Sequence, residues 1–148
     1  MRLTLIWPGK TKEGFIKEGI KKYIKDLSTM AEVRVVEIKE EKGRPVEAAL
    51  REEGRRILKQ TGGKDYVLLD EKGKMMSSEG LARFLDGRDE WQFVLGGPYG
   101  LSAEVKGAAP AALSLSQMTF PHELARVVLL EQLYRAVSIL KGRGYHHS

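Results

Sequence analysis

The residues of this chain best suited to chemistry cluster in its last third. Gly96-Gly97-Pro98-Tyr99-Gly100 follows an apolar run. Glycines there let backbone approach a ligand closely, and Pro98 stiffens the turn. A second segment, Ser116-Gln117-Met118-Thr119-Phe120-Pro121-His122, sets apolar side chains among polar ones. The chain ends Gly144-Tyr145-His146-His147-Ser148, an aromatic ring beside imidazoles. An aromatic ring can stack on a base, and an imidazole can hydrogen-bond or take a proton near neutral pH. Arg126 and Arg135 either pair with Glu123 or Glu131 at helical spacing or face RNA or a partner subunit.

Several chemistries are excluded by what is missing. The glycine loop has neither the Lys-Ser/Thr pair of a phosphate-binding P-loop nor the G-x-G-x-x-G spacing of a dinucleotide fold. Taken alone it is equally an ordinary strand-to-helix turn, which is how Gly62-Gly63-Lys64 reads. With no cysteine and three histidines, no disulfide framework, thiolate nucleophile or metal cofactor is expected. His122, just after Pro121 at a helix start, suits capping or loop packing at least as well as catalysis. His146 and His147 by themselves also fit a frayed tail.

The formal charge of +5 and a pI near 9.4 favour a polyanionic partner such as RNA. Lys17, Lys21, Lys22 and Lys25 fit that reading and equally fit a solvated helix face. A length of 148 residues suits one domain spanning 1–148. Hydrophobic residues at 42% against 30% charged argue against extended disorder. No apolar run is long enough to span a bilayer. Met1 to Pro8 lacks the features of a signal peptide, so a cytoplasmic protein without membrane contact is expected.

The elements that must position these residues alternate along the chain. Leu3, Leu5 and Trp7 predict a first strand closed at Pro8-Gly9, and Phe15 to Leu27 recur at helical spacing. Val33 to Ile38 predicts a second strand, and a helix begins at Pro45 and stops at Gly62-Gly63. Tyr66 to Leu69 predicts a short strand ending at Asp70, followed by a helix capped by Ser77 or Ser78 and running through Leu85. Trp91 to Leu95 leads into the glycine loop, Ser102 caps a short helix, and Ala112 to Leu115 predicts a fifth strand. The longest helix runs from about Pro121 to Leu140, with Leu124, Val127, Val128, Leu133 or Tyr134, and Val137 on its apolar side. This order implies an α/β domain with a mostly parallel sheet flanked by helices. Ligands of such sheets bind beyond the carboxyl ends of strands, which singles out Asp70 to Met76, Gly96 to Gly100, and Ser116 to His122.

Leu95 to Ser102, the Ser114-Leu115-Ser116 to Pro121-His122 segment, the helix carrying Arg126, Glu131, Gln132, Leu133, Tyr134, Arg135 and Ala136, and the closing Tyr145-His146 together resemble the RlmH family of pseudouridine N3-methyltransferases, of the SPOUT class. The resemblance covers essentially the whole chain and is strongest from Trp91 onward. It implies a SPOUT-type fold with a C-terminal trefoil knot, in a symmetric homodimer. It also implies S-adenosyl-L-methionine as cofactor, held by Leu69, Gly96, Gly97, Gly100, Ser116, Gln117, Met118, Thr119, Phe120 and Pro121. The implied substrate is a pseudouridine of 23S ribosomal RNA on the assembled ribosome, with Tyr145 and His146 at the reacting base and Arg126 and Arg135 toward RNA. Relatives often carry arginine where this chain has His147, which leaves a phosphate contact there in doubt.

Two expectations follow from the resemblance. A β-carbon at Gly97 would intrude on the methyl donor, and Leu129, Leu130 and Leu133 would be buried against the partner subunit. A non-catalytic RNA-binding module of the ribosome is the alternative, but it requires neither the second loop nor the Tyr-His ending. A dehydrogenase or kinase-like nucleotide enzyme would explain the glycines but lacks the fingerprints.

Overall fold

The computed structural model describes residues 1–147; Ser148, the last residue of the predicted tail, lies outside them. The strands are β1 (Arg2–Pro8), β2 (Glu32–Ile38), β3 (Val67–Met75), β4 (Glu90–Val94) and β5 (Ala111–Ser114). The helices between and after them are α1 (Gly14–Leu27), α2 (Val46–Thr61), α3 (Ser78–Leu85), α4 (Ala103–Ala108) and α5 (His122–Leu140). One sheet of order β2-β1-β4-β3-β5 results, with every neighbouring pair parallel. The α/β architecture expected from the alternation is therefore present.

Leu3 through Pro8 are all buried, because β1 has a neighbour on each side and helices over both faces. Leu3, Leu5 and Trp7 join Trp91, Phe93 and the inner residues of α5 in one core. Ile6 turns the other way, toward Leu68, Val94 and Val105. A strand buried on both faces is what a covered parallel sheet demands. Helices α1, α3 and α5 cover the first face, and α2 and α4 the second. Local signals set the helix ends. The Ser77 side chain accepts from the Gly80 N–H, Ser102 accepts from that of Val105, and α2 closes at Gly62 in the left-handed region (φ 63°).

Two elements differ from expectation. β3 continues past Asp70 to Met75, with a break in its pairing to β5 between Leu69 and Lys74. The polar run Glu71-Lys72-Gly73, expected as loop, arches over β5, and only glycine fits at its tightest point. A Cβ on Gly73 would lie 2.7 Å from the Ala112 carbonyl carbon.

The inner face of α5 also differs. Leu129, Leu130 and Leu133 are fully buried in the chain's own core, so they are not residues left over for a partner. Leu124, Val127 and Val128, expected inside, are only half-buried. Apolar residues surround this helix on nearly every side, so periodicity alone does not choose the inward face.

Candidate active site

The sheet order sets β4, β3 and β5 side by side, and their carboxyl ends open into a cavity of about 310 Å3. Gly96, Gly97, Pro98 and Gly100 form one wall, and Leu115, Ser116, Met118, Thr119 and Phe120 another. Leu69, Asp70 and Glu71 form the third, and His122 and Ala125 at the start of α5 close the side. All three segments singled out by the strand-end rule thus meet at one place.

Backbone geometry explains the glycines. Gly97 and Gly100 pair as an isolated bridge, with the Gly100 N–H donating to the Gly97 carbonyl at 3.0 Å. Gly100 sits at φ 84°, which L side chains rarely adopt. A Cβ on Gly96 would lie 2.9 Å from the Gly100 carbonyl carbon. At Gly97, which lines the cavity, a Cβ would meet Pro8 Cγ at 3.2 Å, so this glycine also keeps the loop close to the end of β1.

The second loop is folded on itself and latched to the third wall. The Ser116 hydroxyl accepts from the Met118 N–H at 2.9 Å, and the Ser116 carbonyl accepts from the Ser114 hydroxyl at 2.9 Å. The Thr119 hydroxyl donates to Glu71 Oε2 at 2.7 Å, and Met118 stays 77% exposed. The lining carries the carboxylates of Asp70 and Glu71, the ammonium of Lys106 and the imidazole of His122. Burial, and then the neighbouring Arg126 cation, push the His122 pKa below its ordinary value, so the ring is neutral at pH 7.

Beneath this edge Arg126 is fully buried. Its guanidinium donates to Thr11 Oγ1 at 2.8 Å and to the Pro8 carbonyl at 2.9 Å, and it lies 4.7 Å from the Trp7 ring centroid. The expectation that Arg126 faces RNA is therefore corrected, because the side chain is fully buried and both terminal nitrogens are engaged by the segment joining β1 to α1. Glu123 ties down the same segment by accepting from the Lys12 and Glu13 N–H groups at 3.0 Å. Burial raises the Glu123 pKa, but those two N–H groups with Arg126 and His122 outweigh it and hold the carboxyl below its usual range.

The tail docks elsewhere. Tyr145 packs edge-on against Tyr134 with centroids 4.6 Å apart, beneath the Arg135 guanidinium. Its hydroxyl donates to Glu131 Oε1 at 3.3 Å, and Arg135 Nη2 donates to the same oxygen at 2.6 Å. His146 lies between Arg135 Nη1, 3.2 Å from Nδ1, and Glu79 Oε1, 2.9 Å from Nε2. A guanidinium only donates, so Nδ1 accepts and Nε2 carries the proton toward Glu79. Neither Tyr145 nor His146 lines the cavity. Arg135 is ten residues beyond Ala125, or about 15 Å along the helix at 1.5 Å per residue.

The model of the family described as "Predicted SPOUT methyltransferase" matches residues 1–146. The chain belongs to the SPOUT methyltransferase family. A protein of Thermodesulfovibrio yellowstonii named "Ribosomal RNA large subunit methyltransferase H" is 47% identical over 146 residues, covering 99% of each chain. A Geotalea daltonii protein of the same name is 44% identical over 153 residues, covering 99% of this chain and 100% of its own. Among solved structures, the tRNA (m1G37) methyltransferase of Aquifex aeolicus superposes with a TM-score of 0.62 at 16% identity. That match covers 99% of this chain and 73% of the Aquifex chain and shows a shared fold.

As a SPOUT methyltransferase the chain needs a place for a methyl donor, and eight of the ten residues expected to hold one line the cavity: Leu69, Gly96, Gly97, Gly100, Ser116, Met118, Thr119 and Phe120. Gln117 and Pro121 are exposed and do not line it. Sequence reasoning missed Glu71, Lys106, Leu113 and Ala125 as wall residues. Glu71 lay in a segment already singled out, whereas Lys106 and Ala125 carry no local signal because helices α4 and α5 bring them in from outside the loops.

Proposed function

We propose that this SPOUT methyltransferase transfers a methyl group from S-adenosyl-L-methionine to N3 of a pseudouridine in 23S ribosomal RNA, on the assembled ribosome, as a cytoplasmic homodimer with a C-terminal trefoil knot. The observation that carries the reading is the cavity where three strand-end loops meet. It combines close backbone at Gly96 and Gly100, apolar walls, and two carboxylates. That lining fits the donor: Leu69, Leu115 and Phe120 offer an apolar slot for an adenine, and Asp70 and Glu71 are complementary to its cationic groups. The full-length relatives named as large-subunit ribosomal RNA methyltransferases support the substrate class.

When bound, the donor supplies an electrophilic methyl carbon on a sulfonium. The chain's own contribution is position. The bridged glycine hairpin and the Thr119–Glu71 latch hold the walls rigid, which turns a bimolecular displacement into a near-unimolecular one. The imide nitrogen must also lose a proton. Burial first, and then Glu131, push the Tyr145 pKa above its ordinary value, so the phenol stays protonated and serves to stack or donate. With the His146 proton on Nε2 toward Glu79, the nitrogen able to accept a proton is Nδ1, so base action there requires its release from Arg135.

The tail's docking site about 15 Å along α5 supports a two-subunit site, in which one protomer's Tyr145 and His146 serve the cavity of its partner. Arg135 then positions the tail through His146 and Glu131. Calorimetry with S-adenosyl-L-methionine, followed by methyl transfer to ribosomes and to free ribosomal RNA, tests the reading. Saturable binding and transfer to ribosomes are expected. A protein that binds RNA but not the donor would favour the non-catalytic RNA-binding module.

A further inference from the structure

A second concavity, of about 590 Å3, lies between α1 and the edge strand β2, away from the glycine loop. Its floor is apolar, formed by Trp7, Ile20, Ile24 and Val35. Its rim is cationic: Lys10, Lys17, Lys21 and Lys25 all line it and are all exposed. A single carboxylate, Glu37, opposes these four ammonium groups. Among the described residues none of the four lysines makes an ion pair, whereas Lys22 on the neighbouring stripe of the same helix is paired with Asp26 at 2.8 Å.

Spacing makes this more than scattered surface charge. Lys17, Lys21 and Lys25 are four residues apart, so they form a line with about 6 Å between successive positions. Like charges at that spacing weaken a helix. The line is uncompensated on this stripe and compensated on the next. Trp7 at the groove floor is almost wholly buried, so the floor offers apolar contact and the lysines of the rim supply the polar contacts.

The groove shares no lining residue with the cavity, but the segment after β1 links the two. Lys10 and Thr11 lie in the segment after β1 that Arg126 and Glu123 hold, and Pro8 at its start abuts Gly97 of the glycine loop. From there α1 carries the lysine line away along the sheet. We propose that this groove is a docking track for the phosphate backbone of RNA flanking the methylated nucleotide, with Lys10, Lys17, Lys21 and Lys25 as phosphate contacts. The inference rests on the ribosomal RNA reading for the identity of the RNA. RNA is favoured over an acidic protein because the track begins at the same sheet edge as the cavity.

The test compares the full-length protein with Lys17→Gln/Lys21→Gln/Lys25→Gln and with a charge-matched control, Lys42→Gln/Arg51→Gln/Lys59→Gln. Binding to ribosomes and to single-stranded poly(U) is measured at about 0.1 M salt and above, alongside calorimetry with S-adenosyl-L-methionine. The groove variant is expected to keep donor affinity and to lose at least about tenfold in RNA affinity. Its slope of log affinity against log salt should flatten by about 2, since three contacts contribute about 0.7 each on a single strand. The control should lose markedly less. Unchanged affinity and slope in the groove variant, or equal loss in both variants, overturns the proposal. If the unmodified protein binds RNA through the groove but methylates no ribosome, the functional reading fails while the docking track stands.

Discussion

Arg126 is the residue whose environment departs furthest from its type. A buried guanidinium is tolerated only when its donors are met, and here a hydroxyl, a carbonyl and an indole face meet most of it while Nε stays unpaired. Removing it strands the Pro8 carbonyl and the Thr11 hydroxyl and opens a hole over Trp7. Arg126→Ala should cost about 3 kcal/mol or more, and the thermal midpoint should fall by about 10 °C. Arg126→Lys should not restore it, because one ammonium cannot reproduce the planar fork and the ring contact. A fall under about 3 °C in thermal denaturation would show the site to be more adaptable than drawn. His122 and Glu123 beside it make the fold acid-sensitive. The unfolded chain protonates His122 near its ordinary value of 6.5 while the folded chain holds it neutral, so stability is full above that pH and declines as pH falls below it. Glu123 has a folded pKa below 4.5, so it contributes stability above that value and loses it as pH falls further. The thermal midpoint should therefore drop in two stages on acidification, and His122→Gln should remove the first; an unchanged first stage would assign it to another group.

At the scale of elements, most of the fold was legible and some of the site was not. Alternation in β1, capping serines at 77 and 102, and Gly62 all carry local signals that survive in the structure. The extension of β3 was hidden because Glu71-Lys72-Gly73 has loop composition, and its place against β5 depends on a tertiary clash that only the assembled sheet reveals. The inward face of α5 was hidden for the opposite reason, since too many of its residues are apolar. Of the site, the three strand-end loops were readable from chain order, while the distance of the tail from the cavity was not. Two predictions belong here. Gly73→Ala should cost about 2 kcal/mol by overpacking the β3–β5 crossing and should weaken donor binding, because Leu69 to Glu71 form a cavity wall; an unaffected denaturation curve would contradict the contact. Deleting residues 144–148 should leave S-adenosyl-L-methionine affinity and subunit mass nearly intact while removing methyl transfer to ribosomes. Full turnover after that deletion would remove Tyr145 and His146 from the mechanism.

For the whole molecule, the separation between cavity and tail makes the proposed dimer a testable part of the chemistry. Leu129, Leu130 and Leu133 are spent on the internal core, so the α5 surface left for a partner is the half-buried stripe that includes Leu124 and Val128. A charge placed there should split a dimer without disturbing the core: Val128→Asp should halve the mass measured by light scattering, retain the fold and lose methyl transfer. A variant that stays dimeric would move the interface to another face. The central claim is that the cavity at the ends of β3, β4 and β5 holds a methyl donor for a base in ribosomal RNA. Its most direct test is to incubate the protein with ribosomes lacking the modification and S-adenosyl-L-methionine labelled in its methyl group, then to map the label by mass spectrometry of nucleoside digests. Label on N3 of a pseudouridine in 23S RNA, dependent on an unblocked cavity and abolished by Leu115→Trp, is the predicted result. Label that is absent from ribosomal RNA, or unaffected when the cavity is filled, would contradict the account.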